Sequence, residues 1–231
     1  MSGTTYVLIP GATGQAWYWH RVVPLLEERG YEALPVELPG ADDTAGLAEY
    51  VDTVVAAIGD RPAGDVVLVG QSMGAFTTGL VAERLPVREI VLVNAMTPKP
   101  GESAGEWWEA TGQGAAAREM ALRDGRDPDA PFDPWIEFFH DVPEHIVEEA
   151  KAGPPPLQSD TPFGKPWPLA AWPDVPTRFL QGSDDRFFPV EFQRKLVAER
   201  LGLEIEELPG GHLVALSRPI ELVDLLTAER G

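Results

Sequence analysis

Residues Gly70-Gln71-Ser72-Met73-Gly74 spell a G-x-S-x-G run. The run directly follows the apolar stretch Val66-Val67-Leu68-Val69 and directly precedes a helical pattern. A serine on so sharp a strand-to-helix turn has its hydroxyl lifted above the sheet edge, and the flanking glycines let the backbone close around it. The amide of the following residue, Met73, then points at the same spot, where it is placed to hold a developing oxyanion. A serine hydroxyl is a weak nucleophile until a base takes its proton. The chain offers four histidines: His20, His140, His145 and His212. His20 lies in the first helical pattern beside Trp17 and Trp19, while His140 and His145 lie in an aromatic, proline-rich stretch. His212 sits in Pro209-Gly210-Gly211-His212-Leu213, after the last strand pattern and before the last helical one. In a parallel sheet that loop lies at the carboxyl ends of the strands, the same edge as Ser72. A carboxylate must then orient the imidazole. The stretch Gln181-Gly182-Ser183-Asp184-Asp185-Arg186 follows the penultimate strand pattern and offers two neighbours, Asp184 and Asp185. Adjacent side chains on a loop diverge, so only one of them faces His212.

The elements that must position these residues alternate along most of the 231 residues. Apolar runs at 6–9, 33–36, 66–69, 90–93, 177–180 and 204–208 read as short strands. Helical patterns lie near 17–29, 46–58, 73–84, 190–201 and 217–229. Strand, helix, strand, helix predicts a mostly parallel sheet of about six strands with helices on both faces. Between 97 and 173 the alternation breaks: five of the seven tryptophans and 13 of the 23 prolines fall there. That proline density forbids regular strands, and helices are expected near 104–124 and 133–152. The shift marks an insertion, 97–173, resting on a core made of 1–96 and 174–231.

Composition narrows the function classes. The 18 Lys and Arg against 37 Asp and Glu leave a net charge of −19. A chain this acidic repels phosphate backbones and anionic lipid surfaces, so neither nucleic acid nor a membrane is an expected partner. Cysteine is absent, which removes a thiol nucleophile and thiolate metal sites. Met1-Ser2-Gly3 runs straight into a strand pattern without the basic and apolar regions of a signal peptide, so a cytoplasmic location is expected.

Three stretches resemble the α/β-hydrolase superfamily, most closely the branch that holds plant methylesterases and hydroxynitrile lyases with their bacterial esterase relatives. They are Tyr6-Val7-Leu8-Ile9-Pro10-Gly11-Ala12 with Trp17-Tyr18-Trp19-His20, then Val67 through Ala75 around Ser72, then Asp185-Arg186-Phe187-Phe188-Pro189 with Gly210-Gly211-His212. The resemblance implies an α/β-hydrolase fold with a helical cap, and a triad in the chain order Ser72, Asp185, His212. It selects Asp185 over Asp184 as the catalytic acid, and makes the amide of Ala12 the second oxyanion donor beside Met73. One departure is Pro10, where the family usually has histidine.

The same resemblance separates chemistries. Dehalogenases and most epoxide hydrolases of this fold use an aspartate nucleophile, and position 72 is serine. The lyases of this branch use a threonine on the first loop and a lysine after the catalytic histidine, and the matching residues here are Gly11 and Leu213. What remains is hydrolysis of a small or medium apolar ester through an acyl-enzyme, with no metal and no organic cofactor. Thioester or C–C bond hydrolysis on the same triad is the alternative, and a non-catalytic small-molecule receptor a third reading. Gly11, Phe76, Trp107, Trp108, Trp135, Phe138 and Leu213 are the expected pocket residues, with Phe139 and Trp167 beside them.

Overall fold

The structure is a computed structural model and describes residues 3–228. The chain runs β1 (Thr5–Ile9), α1 (Val23–Glu28), β2 (Glu32–Pro35), α2 (Leu47–Ile58), β3 (Val66–Gln71), α3 (Gly74–Arg84) and β4 (Glu89–Val93). Four helices follow: α4 (Trp107–Thr111), α5 (Gln113–Arg123), α6 (Pro134–Glu137) and α7 (Glu144–Ala152). The pattern then resumes with β5 (Thr177–Gly182), α8 (Val190–Leu201), β6 (Ile205–Leu208), α9 (Val214–Ser217) and α10 (Pro219–Thr227).

The six strands form one sheet in the order β2-β1-β3-β4-β5-β6, with every pairing parallel. Side chains alternate across a strand, and the core divides accordingly. Tyr6, Leu8, Val67, Val69, Val91, Val93 and Leu180 face one way, under Leu26 of α1 and Leu222, Val223 and Leu226 of α10. Val7, Ile9, Val66, Leu68, Ile90, Leu92 and Phe179 face the other, under Val51 and Val54 of α2, Val81 of α3 and Val197 of α8. All six residues of β3 are buried, which is why its first four, Val66-Val67-Leu68-Val69, are apolar without alternation. Each fully buried Val or Leu adds roughly 1.5–3 kcal/mol.

The order of the sheet decides where a site can lie. From β1 the chain crosses to β2 on one side, and β3 then lies on the other. The crevice at the carboxyl ends of β1 and β3 is the point of reversal where open α/β sheets bind ligands. Gly11-Ala12 leaves β1 there, and Ser72 follows directly on β3.

The helices differ from expectation where glycine or proline intervenes. The pattern at 17–29 splits into a 3-10 turn, Ala16–Trp19, and α1, which restarts with Pro24 in its first turn. The pattern at 104–124 breaks at Gly112, which has a φ of +71°. The one at 133–152 breaks before Pro143, which caps α7. The last, 217–229, is divided at Pro219, and its final residue lies outside the described ones. The segment between β4 and β5 packs on α3 and the loops beside it through Trp107 and Trp167, which join Met73, Phe76, Met96 and Phe188 in a third cluster. Among the described residues no helix is long and apolar enough to cross a membrane.

Candidate active site

Ser72 has a φ of +51°, a left-handed conformation that costs a non-glycine residue about 1–3 kcal/mol. Its neighbours hold it there. The Ser72 amide donates to the Val93 carbonyl at 3.2 Å, and the Ser72 carbonyl accepts from Met96 N at 3.0 Å. The flanking glycines have no substitute: a Cβ on Gly70 would lie 2.1 Å from Thr78 Oγ1, and one on Gly74 2.5 Å from the Pro10 carbonyl oxygen. The turn therefore forms only with these residue types, and it leaves the Ser72 hydroxyl pointing out of the sheet edge.

His212 Nε2 lies 3.2 Å from Ser72 Oγ, and His212 Nδ1 lies 2.9 Å from Asp185 Oδ2. The carboxylate at Nδ1 assigns the proton to that nitrogen and leaves the Nε2 lone pair facing the serine. Asp185 is fully buried and His212 is 3% exposed. Asp185 Oδ1 accepts from the amides of Phe187 and Phe188, each at 2.9 Å, so the carboxylate cannot swing away. The neighbouring Asp184 does other work. Its Oδ2 accepts from Gly210 N at 3.2 Å, while its amide donates to the Gly210 carbonyl at 3.0 Å. One aspartate faces the imidazole and the other ties down the loop that carries it.

Two residues not singled out in the sequence join these pieces. Asn94 follows β4 with a φ of +45°. Its Nδ2 donates to the carbonyls of Gly211 and His212 at 2.9 and 3.1 Å, and its Oδ1 accepts from Gly182 N at 2.7 Å. It fastens the histidine loop to the end of β5. Gln71 Oε1 accepts from Gly11 N at 3.1 Å, which turns its amide nitrogen towards His212, 3.3 Å from Nε2. Ser72 Oγ and Gln71 Nε2 thus share one lone pair, and both contacts are longer than a good hydrogen bond. An asparagine just past a buried strand is a signal for the first, since asparagine tolerates positive φ. Gln71 has no such signal.

The hydroxyl opens into a cavity of about 280 Å³, mostly apolar, lined by Gly11, Ala12, Met73, Leu213, Trp108 and Phe138 among others. The Ala12 and Met73 amides donate to no protein acceptor among the described residues. Phe138 stacks on the His212 ring at 4.9 Å between centroids, and Phe188 meets it edge-on at 5.1 Å. Tyr18 and Phe139 also line the cavity. Burial pushes the Tyr18 phenol well above its ordinary range, and its oxygen accepts from Ala215 N at 3.4 Å. Phe76, Trp107 and Trp167, expected in the pocket, do not line it. They are almost completely buried in the cluster beneath, where Trp107 Nε1 donates to the Thr97 carbonyl at 3.2 Å. Packing the inserted segment on α3 and the loops beside it consumes their surface. Trp135 lies in a neighbouring chamber instead. His20 stacks on Trp17, and His140 lies behind Gly211. No cluster of three or more His, Asp or Glu suited to a metal ion occurs among the described residues.

Known proteins place the chain. It is 25% identical over 246 residues to a polyneuridine aldehyde esterase of Rauvolfia serpentina, covering 96% of this chain and 93% of that protein. It is 28% identical over 248 residues to a pyrethroid hydrolase of Sphingobium wenxiniae, covering 98% of this chain and 87% of that one. The crystal structure of a pyrethroid hydrolase from Sphingobium faniae superposes with a TM-score of 0.72 at 25% identity, over 96% of this chain and 95% of that one. These relatives, one plant and two bacterial, lie where the sequence resemblance pointed. The model of the alpha/beta hydrolase family matches residues 6–225, nearly all of the sheet, its helices and the segment inserted between β4 and β5, and the chain belongs to that family.

Proposed function

We propose that the protein is a serine carboxylesterase acting on apolar esters. The observation that carries the reading is the continuous contact from Asp185 through His212 to Ser72, ending in an apolar cavity. Ser72 Oγ attacks the acyl carbon while His212 Nε2 takes its proton. The carbonyl oxygen becomes an oxyanion beside the free amides of Ala12 and Met73, each such donor being worth roughly 3–4 kcal/mol in the transition state. His212 then gives its proton to the departing alcohol, and the acyl group stays on Ser72. Water enters, loses a proton to His212, and releases the acid. Asp185 holds the ring so that Nε2 faces the serine throughout. The Phe138 ring stacks on the imidazole, and its face suits a transient imidazolium, while Nε2 stays open to the cavity. The names of the two relatives, an esterase and a hydrolase of pyrethroids, support the same class of bond.

The test is covalent labelling with a fluorophosphonate, read by intact mass. One adduct on the wild-type protein, absent from Ser72→Ala with its fold intact, is expected. Turnover of short chromogenic oxygen esters should fall at least about 1,000-fold in the variant. Faster hydrolysis of matched thioesters would reassign the substrate class, and an unlabelled protein would leave the site a binding pocket.

A further inference from the structure

A second chamber adjoins the one that holds Ser72. It encloses about 540 Å³, against about 280 Å³ for the inner cavity. Gln15, Trp17, Pro134, Phe139 and Pro156 line both, so the two spaces abut along a shared wall of aromatic and proline side chains. The far side of the outer chamber comes from Trp135 of α6, the end of α7 and the run Pro154-Pro155-Pro156.

Each charged group of this chamber has a protein partner. Glu37 accepts from Ala16 N at 2.6 Å, and Glu149 accepts from Trp17 Nε1 at 3.1 Å. Lys151 pairs with Glu148 at 2.9 Å and lies 5.3 Å over the Trp135 ring. With Lys151 over the Trp135 ring and Phe139 packed against it, what the chamber leaves for a ligand is the exposed part of that tryptophan and the proline side chains around it. Trp135 is 40% exposed and lies 4.7 Å from Phe139, centroid to centroid. An exposed tryptophan beside a second ring at the mouth of a cavity is the kind of surface that marks a binding site.

We infer that the outer chamber is the subsite for an uncharged, ring-bearing arm of an elongated ester whose carbonyl lies at Ser72. Volume decides the point. Small-molecule sites usually span about 300–1,000 Å³, so an elongated ester outgrows the inner cavity of about 280 Å³, and the space that adjoins it across Gln15, Trp17, Pro134, Phe139 and Pro156 is the one left for a longer arm. The placement of the carbonyl rests on the esterase reading; the affinity of the chamber for the arm does not.

Calorimetry on full-length Ser72→Ala tests this, because esters bind to that variant without being consumed. Two series are used: ethyl esters of ω-phenylalkanoic acids, which lengthen the acyl arm, and ω-phenylalkyl acetates, which lengthen the alcohol arm. In one series Kd should fall about tenfold once the phenyl group is long enough to leave the inner cavity, the effect of burying one ring. Adding Trp135→Ala should cancel most of that gain, and Trp135→Phe should keep most of it. The responding series identifies which arm enters. Absence of a gain in both series, or a gain that survives Trp135→Ala, overturns the inference. Wild-type turnover of the same compounds is a separate readout: if it fails while the binding gain holds, the esterase reading is wrong and the subsite stands.

Discussion

Gln71 stands between the two halves of the site, one hydrogen bond from the Gly11 loop and one from the base. Gln71→Met removes both contacts while keeping the volume. The loop that carries the Ala12 amide then loses its anchor, and small misplacements of such groups cost up to about 100-fold in rate. We expect kcat/KM on a short chromogenic ester to fall about 10–100-fold with the fold retained. Gln71→Glu separates the two contacts. It keeps an acceptor for Gly11 N but sets a carboxylate beside His212 Nε2. An adjacent anion favours the protonated ring, so the acid limb of the pH–rate profile should move to higher pH. A methionine variant within twofold of wild type, or an unmoved limb in the glutamate variant, would reduce Gln71 to a filler. Neither Gln71 nor Asn94 was legible in the sequence as a joint, because each acts by touching loops far away along the chain. Ser72 and His212 were legible because glycines and strand ends mark their positions locally, whereas the local pattern left Asp184 and Asp185 both open and only the family resemblance chose Asp185; the structure brings Ser72, Asp185 and His212 together. The pocket was legible only in part. An aromatic residue in an inserted segment can face a cavity or the core, and the sequence carries no direction: Trp108 and Phe138 face the cavity, while Trp107 faces the core.

The outer strand β2 is where an element is held by side chains more than by burial, since none of its four residues is fully buried. Glu32 Oε2 accepts from Thr5 Oγ1 of β1 at 2.7 Å, and Glu32 Oε1 pairs with Arg61 Nη2 at 2.6 Å. Arg61 also donates to the carbonyls of Ala57 and Ile58, closing the end of α2. The Arg61 guanidinium first, and the Thr5 hydroxyl second, lower the Glu32 carboxyl from 4.5 to about 2. A carboxyl depressed in the folded state stabilises it fully above its unfolded value and loses that contribution as pH falls towards the folded one. Glu32→Gln should therefore melt below wild type at pH 7, and the gap should narrow between pH 4.5 and about 2. Melting curves at pH 7, 4 and 3 check this, and a gap independent of pH would remove Glu32 from the acid response. Elements were the most legible level of the fold. All six strands lie within two residues of their sequence positions; the central ones, β1, β3 and β4, are buried on both faces and read as nearly uninterrupted apolar runs. The helices of the inserted segment were the least legible, since short helices joined by Gly112, Pro134 and Pro143 have no long period to read.

The whole molecule carries 37 acidic against 18 basic residues, so many carboxylates have no cation to pair with. Several pairs that do form, such as Arg84 with Asp52 and Arg118 with Asp129, join side chains more than half exposed, and such pairs contribute about 0–1 kcal/mol each. Repulsion among the remaining carboxylates acts on the compact state. Salt weakens both terms, the attraction and the repulsion, as the screening length falls from about 30 Å at 0.01 M to about 3 Å at 1 M. At −19 the repulsive pairs outnumber the attractive ones, so the melting temperature at pH 7 should rise with sodium chloride across that range. Chloride is chosen because sulfate would stabilise by exclusion from the surface whatever the charge. The control is pH. Near pH 4.5, about where the sequence composition balances its charges, the net charge vanishes, and with it the repulsion that salt relieves, so the salt slope should flatten or reverse there. A melting temperature that falls with salt at pH 7 would mean that the ion pairs outweigh the excess of negative charge.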